Sequence, residues 1–189
     1  MPADLGWFVP GRRVWLTDGL PVLPTLGSGR VSLREMRSGD TDGYARRLTH
    51  PTEARFITDV EISLSAVPRK LEANRRAWEQ GRAAYWTIEQ AGQFAGFIAL
   101  HRPHAVTAAL SYAVLQELRR SGVASEALRL VLAYASAQLE TQQVHAATHL
   151  DNDASSKLLR SLEFEDLGEG EAPGGIRRRF VKEVSPACP

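Results

Sequence analysis

The sequence predicts an α/β fold: a mixed, mostly antiparallel central sheet of about six or seven strands with helices on both faces. Three observations carry this. The β-rich runs "YWTIEQ" (85–90), "QFAGFIALH" (93–101) and "ALSYAVLQ" (109–116) follow one another through short links, which implies an antiparallel meander. Ala127, Leu128, Val131, Leu132, Ala135 and Leu139 then recur at helical spacing. The strand "VHAATHL" (144–150) follows that helix, so it should lie parallel to the third run through a right-handed crossover.

Taken in order, residues 1–22 form an N-terminal arm and residues 23–189 the domain. The arm is rich in Pro and Gly yet carries Trp7, Phe8 and Trp15, and disordered tails are poor in aromatics. "WFVPGRRVWL" has the pattern of a hairpin around Pro10–Gly11. The arm either covers its own domain or is exchanged with a partner chain in a homodimer. "VSLREM" (31–36) reads as a strand, Asp40 as the cap of a helix running to about Leu48, and Pro68 as the first turn of a helix ending near Gln80. After the long helix and its strand, Asn152 or Asp153 caps a helix through Leu162, with Leu158, Leu159 and Leu162 facing inward. "FEDLG", a Gly/Pro loop and the strand "RRRFVKEV" (177–184) complete the chain.

Composition excludes several classes. The 189 residues carry a formal net charge of +1, with signs mixed along the chain, so charge does not mark a nucleic-acid binder. No apolar run approaches the roughly 20 residues of a membrane span, and the N-terminus lacks a signal pattern. The single cysteine, Cys188, forms no internal disulfide, which fits a cytoplasmic setting. No metal-ligand motif stands out, and none is expected.

The stretch from Arg119 to Ser125 holds the chemistry. A strand ends, two arginines and a serine follow, and a long helix begins at Gly122. A helix start leaves its first N–H groups unpaired and adds partial positive charge, which suits a phosphate. Gly122 permits a turn that other residues resist, and Ala124 leaves the helix mouth clear. Arg119 and Arg120 supply charge; Ser121 and Ser125 supply hydroxyls. The backbone of Val123, Ala124 and Ser125 completes a cradle for a diphosphate.

Arg119-x-x-Gly122-x-Ala124 resembles the pyrophosphate motif of the GNAT acetyltransferase superfamily, and "NDASSKLLRSLEF" (152–164) resembles the family's following segment, with Glu163 where glycine is common. "LPTLGSGRVSLREM" (23–36) is similar to the start of the ribosomal-protein-alanine N-acetyltransferase branch. The resemblance spans roughly Leu23 to Val184. It implies acetyl-CoA as co-substrate and a primary amine as acceptor, which attacks the thioester directly. The acceptor is a protein N-terminus or a small amine. The resemblance also implies that a bulge parts two parallel strands, that the pantetheine arm pairs with the edge near Tyr112 to Leu115, and that a backbone N–H of Val114 or Leu115 polarises the thioester carbonyl.

Residue by residue, the resemblance gives Asn152 a contact to the pantetheine arm, in competition with its helix-cap role. It places Ser155 near the coenzyme sulfur, as donor to the departing thiolate. The tyrosine that many relatives carry four residues later is Leu159 here, and the strand glutamate that some use as base is Ala147. His149 shares a strand face with Ala147 and is the candidate base; His101 and His104 are weaker candidates. The acceptor pocket is expected from "RFITDVEISLS" (55–65), with Asp59 and Glu61, and from "GEGEAPGGIRRR" (168–179). The departures at Ala147 and Leu159 leave an alternative open: a domain that holds acyl-CoA without turnover, as a sensor or interaction module. Neither the length of the acyl chain nor the oligomer follows from the sequence.

Overall fold

The computed structural model describes residues 20–49 and 67–184, together with three two-residue strands in the arm. In the arm, β1 (Phe8–Val9) pairs antiparallel with β2 (Arg12–Arg13), the hairpin expected around Pro10–Gly11. β3 (Leu16–Thr17) pairs likewise with β4 (Leu20–Pro21). Trp7, Trp15, Asp59, Glu61 and Cys188 lie outside the described residues.

The domain follows the expected order, with one additional short strand at its start. β5 (Leu26–Gly27) and β6 (Val31–Glu35) lead into α1 (Thr41–Thr49) and α2 (Val67–Glu79). The meander is β7 (Ala83–Gln90), β8 (Gln93–His101) and β9 (Thr107–Val114). The long helix α3 (Val123–Gln138), β10 (Gln143–Thr148), α4 (Asp153–Ser161), β11 (Glu165–Ala172) and β12 (Gly175–Glu183) follow. Eight strands form one sheet in the order β11-β12-β10-β9-β8-β7-β6-β5. Its described pairs are antiparallel except β9 with β10, the pair joined through α3. The "GEGEAPGG" stretch is less of a loop than expected: strand pairing continues to Ala172↔Gly175, and only Pro173–Gly174 turns.

Strand alternation divides the core between two faces. On the α3/α4 face, Leu33, Trp86, Ile88, Ile98 and Leu100 pack against Val123, Leu128 and Val131 of α3 and Leu159 of α4. The Trp86 ring meets Tyr134 of α3 edge-on, and its indole N–H donates to the Pro24 carbonyl at 2.8 Å, which fastens the chain entering the domain. On the α1/α2 face, Met36 and Tyr44 form a smaller cluster with Leu71, Tyr85, Phe94 and Phe97. Leu158 is only half-buried, whereas Leu159 and Leu162 are buried as expected.

Asp40 does not cap α1. It ends a 3-10 turn (Ser38–Asp40), and its carboxylate accepts from Arg34, from the Arg37 amide at 2.9 Å and from the Thr87 hydroxyl at 2.7 Å. Burial alone would raise this carboxyl's pKa; Arg34, the Arg37 amide and Thr87 reverse that and hold it below the usual range. Arg34 also binds Glu89 at 2.7 Å, so the ion cluster ties β6 and β7 to the start of α1.

Candidate active site

The sheet opens between β9 and β10. Their parallel pairing runs from Thr107↔Gln143 to Leu110↔Ala146 and stops there, although β9 continues to Val114 and β10 to Thr148. Beyond that point each strand keeps its other neighbour: Ser111–Val114 stay paired with β8, and Ala147 and Thr148 with β12. A gap is left whose inner lip is the edge of β9. The expected bulge does not lie between β8 and β9, whose register is unbroken from Gly96↔Val114 to His101↔Ala109. The register shift in this region lies in β8, at Ala95 opposite Ile88/Glu89 of β7. Gly96 lets β9 approach closely there; a Cβ on it would lie 2.1 Å from the Ala113 carbonyl oxygen.

Backbone directions along β9 follow from one bond. The Leu115 N–H donates to the Ala95 carbonyl at 2.8 Å, toward β8. Leu115 is therefore not the free donor the sequence left open. In an antiparallel ladder alternate residues face alternate edges, so the Tyr112 and Val114 amides and carbonyls face the gap. Val114 is the available donor.

The turn that follows is the one expected to cradle a phosphate. Arg120 and Gly122 take positive φ, 61° and 85°. Gly122 is the N-cap of α3 and no side chain caps the helix; the Glu126 N–H closes the first turn on the Gly122 carbonyl at 3.0 Å. The amides of Val123, Ala124 and Ser125 precede that bond, so the helix itself supplies them no acceptor. Val123 is fully buried, which anchors the helix start, while Ala124 and Ser125 are half-buried and Arg119, Arg120, Ser121 and Gly122 are exposed. Ser121 Oγ donates to the Leu118 carbonyl at 2.6 Å and so firms the turn. Arg30, held by Glu126 at 2.9 Å, lies beside Gly122.

The second helix start at the gap is built differently. Asn152 is the N-cap of α4, and its Oδ1 accepts the Ser155 N–H at 3.1 Å. Asp153 is the first helical residue and not the cap. The cap uses only the side-chain oxygen, and the amide nitrogen of Asn152 retains two donor hydrogens. Cap and ligand contact are thus compatible on one side chain. Thr148 Oγ1 and Ser156 Oγ, both buried, lie 3.1 Å apart and tie the end of β10 to α4.

Ser155 and His149 are not brought together. Val144, Ala146 and Thr148 face α3 and α4, so alternation carries Ala147 and His149 to the opposite face. His149 is about one-third exposed; its Nδ1 lies 3.4 Å from the Asp151 amide and 3.7 Å from the Asp151 carboxylate. His101 has a more enclosed place on that opposite face. Its Nε2 is 3.0 Å from Ser111 Oγ, its ring meets Tyr85 edge-on, and burial, then Lys70 and Arg102, lower its pKa. By register Ser111 stands across the gap from Ala147, and His149 two residues nearer the mouth. His104 packs against Trp78, away from the gap. Leu159 is wholly in the core. Sequence reasoning placed Tyr112 on the strand edge but missed its side chain, whose buried hydroxyl neighbours Ser155. Its signal was a hydroxyl-bearing side chain in the inward row Leu110, Tyr112, Val114.

Among the described residues no helix is long and apolar enough to cross a membrane. Comparison with known proteins agrees with the geometry. Residues 30–165 match the acetyltransferase (GNAT) domain family. YoaA, an uncharacterised N-acetyltransferase of Bacillus subtilis, is 25% identical over 154 residues, which cover 78% of this chain and 86% of YoaA. Mycobacterium smegmatis RimJ, solved with a CoA-disulfide, superposes with a TM-score of 0.77 at 18% identity, over 86% of this chain and 88% of RimJ. RimL, a ribosomal L7/L12 α-N-protein acetyltransferase solved with coenzyme A, does so with a TM-score of 0.75 at 14% identity, over 87% of this chain and 100% of RimL. The family match spans most of the sequence and the fold supplies its characteristic opening, so the chain belongs to the GNAT acetyltransferases and is an acetyl-CoA-dependent N-acetyltransferase.

Proposed function

We propose that this enzyme acetylates the α-amine of a protein N-terminus, with the acetyl donor held in the β9–β10 gap. The observation that carries the site is the end of strand pairing at Leu110↔Ala146, four residues before β9 stops and just ahead of an uncapped helix start. The similarity to RimL, an α-N-protein acetyltransferase, supports a peptide acceptor over a small amine.

Acetyl-CoA supplies a thioester-activated acetyl group and a diphosphate that must be anchored. Arg119, Arg120, Ser121 and the amides of Gly122, Val123, Ala124 and Ser125 hold the diphosphate through charge and aligned N–H groups. The exposed edge at Tyr112 and Val114 pairs with the amide-bearing pantetheine arm as an added strand, and the Asn152 amide donates to it. The Val114 N–H points at the thioester carbonyl, where a fixed donor contributes roughly 3–4 kcal/mol. Ser155, in the first turn of α4, donates to the sulfur as charge grows there. The acceptor approaches from the α1/α2 face, where His149 and the His101–Ser111 pair stand to receive its proton.

Thiol release from acetyl-CoA tests this directly, measured over N-terminal peptides, polyamines and aminoglycosides. Turnover on unblocked peptides, abolished by N-terminal blocking, is expected. Turnover confined to small amines would refute the acceptor assignment, and thiol release with no acceptor in the panel would refute the reading as a whole.

A further inference from the structure

Tyr112 stands out among the polar groups of the gap. Its hydroxyl has almost no exposed surface and no hydrogen bond of good geometry, a costly condition for a buried donor. The ring belongs to the α3/α4 face, in the row Leu110, Tyr112, Val114. Ser155 is its hydroxyl's polar neighbour. Register places Tyr112 level with Thr148, the residue that ties β10 to α4 through Ser156. Two hydroxyls, one from the inner lip of the gap and one from the first turn of α4, therefore converge where β9 and β10 have parted.

We propose that Tyr112 is a positioning residue for thiol release: its O–H donates to Ser155 Oγ and so turns the Ser155 proton toward the departing sulfur. A serine hydroxyl has one hydrogen and two lone pairs. Left alone, Ser155 can spend that hydrogen on Tyr112. With Tyr112 as donor, the hydrogen is kept for the gap. Burial pushes the Tyr112 phenol up to about 12, so it is a neutral donor near neutral pH. During transfer the acceptor nitrogen bonds to the carbonyl carbon, the C–S bond breaks, its electron pair goes to sulfur and the amine proton passes to the α1/α2 face, where His149 and the His101–Ser111 pair stand. Ser155 stabilises the sulfur by hydrogen bonding, and no proton need be drawn from Tyr112.

The inference rests on the reading above that transfer occurs in this gap, and one experiment separates the two. Steady-state kinetics are measured for wild type, Tyr112→Phe, Ser155→Ala and the double variant, with acetyl-CoA and a competent peptide. Tyr112→Phe keeps the ring, and a melting curve checks that it folds. The expected result is a fall in kcat of about five- to tenfold, the worth of one neutral hydrogen bond, with KM for acetyl-CoA within about twofold. In the Ser155→Ala background the same change should cost nothing further. Equal losses in both backgrounds, an effect on KM alone, or wild-type kcat in Tyr112→Phe would each overturn the positioning role while leaving the proposed function intact. A wild-type enzyme inactive toward every amine would overturn both.

Discussion

Two helices begin at the same gap, and they begin in opposite ways. α4 starts on Asn152, whose side chain satisfies the Ser155 amide. α3 starts on Gly122 in a left-handed conformation, and no side chain caps it. A glycine in place of a capping side chain costs only about a few tenths of a kcal/mol, and α3 is the longer helix with its first residue, Val123, fully buried. The difference shows which helix start is closed by a side chain of the protein and which is not; the proposed site places the ligand at the open one. α4 is capped because its first turn must hold Ser155 in place. In the proposed site the uncapped amides of α3, with Arg119 and Arg120 beside them, suit an anion.

The largest expected effect comes from closing the uncapped end. Gly122→Val places a β-branched residue at φ 85°, where it strains the fold by about 1–2 kcal/mol. Its Cβ would also lie 3.1 Å from the Arg30 guanidinium beside the helix start. Calorimetry should show coenzyme A affinity at least about tenfold weaker in the folded variant. Unchanged affinity would mean that the two helix starts do not differ in the way described.

A pair of substitutions at Asn152 sharpens the other side of the comparison. Asn152→Asp keeps the capping oxygen and removes the amide donors, so stability should hold while coenzyme A binding weakens a few-fold. Asn152→Ala removes both, with a further loss of about 1 kcal/mol in stability. If thermal melting and titration respond identically in the two variants, the cap and the ligand contact are not separate functions of that side chain.

The smallest effect lies at the far end of α4. Glu163 takes φ 62° where a glycine would rest without strain. Its partner Lys182 lies at 3.2 Å, but Glu163 is almost fully exposed, so the ion pair contributes little. Glu163→Gly should therefore stabilise the fold by about 1 kcal/mol in denaturant titration without changing kcat. Here a left-handed residue serves only the turn, unlike Gly122.

Most of the fold was legible in the sequence because its signals are local. The meander runs alternate, α3 repeats its apolar residues at helical spacing, and Pro68 lies in the first turn of α2. The Arg119–Ser125 turn was legible for the same reason, since a glycine and two arginines before an apolar helix are contiguous. What escaped depends on pairing across the sheet. Asp40 has the sequence context of a cap, but Arg34 and Thr87 claim its carboxylate from neighbouring strands. Leu115 looked equivalent to Val114 until the bond to Ala95 fixed which amides face the gap. The strand that carries the bulge was not legible either: it is β8, where Ala95 is unmatched opposite β7, a matter of register that neither strand reveals alone. Tyr112 and the His101–Ser111 contact depend on which strand residues become neighbours, and no spacing rule within one strand reports that.

The central claim is that one ligand lies along the open edge of β9 and against the uncapped start of α3. Amide hydrogen exchange with and without coenzyme A tests it most directly. Slowed exchange at the Tyr112 and Val114 amides and at Val123, Ala124 and Ser125, with the already capped Ser155 amide little changed, is the predicted result. Protection that misses both β9 and the α3 start, despite saturating ligand, would contradict it.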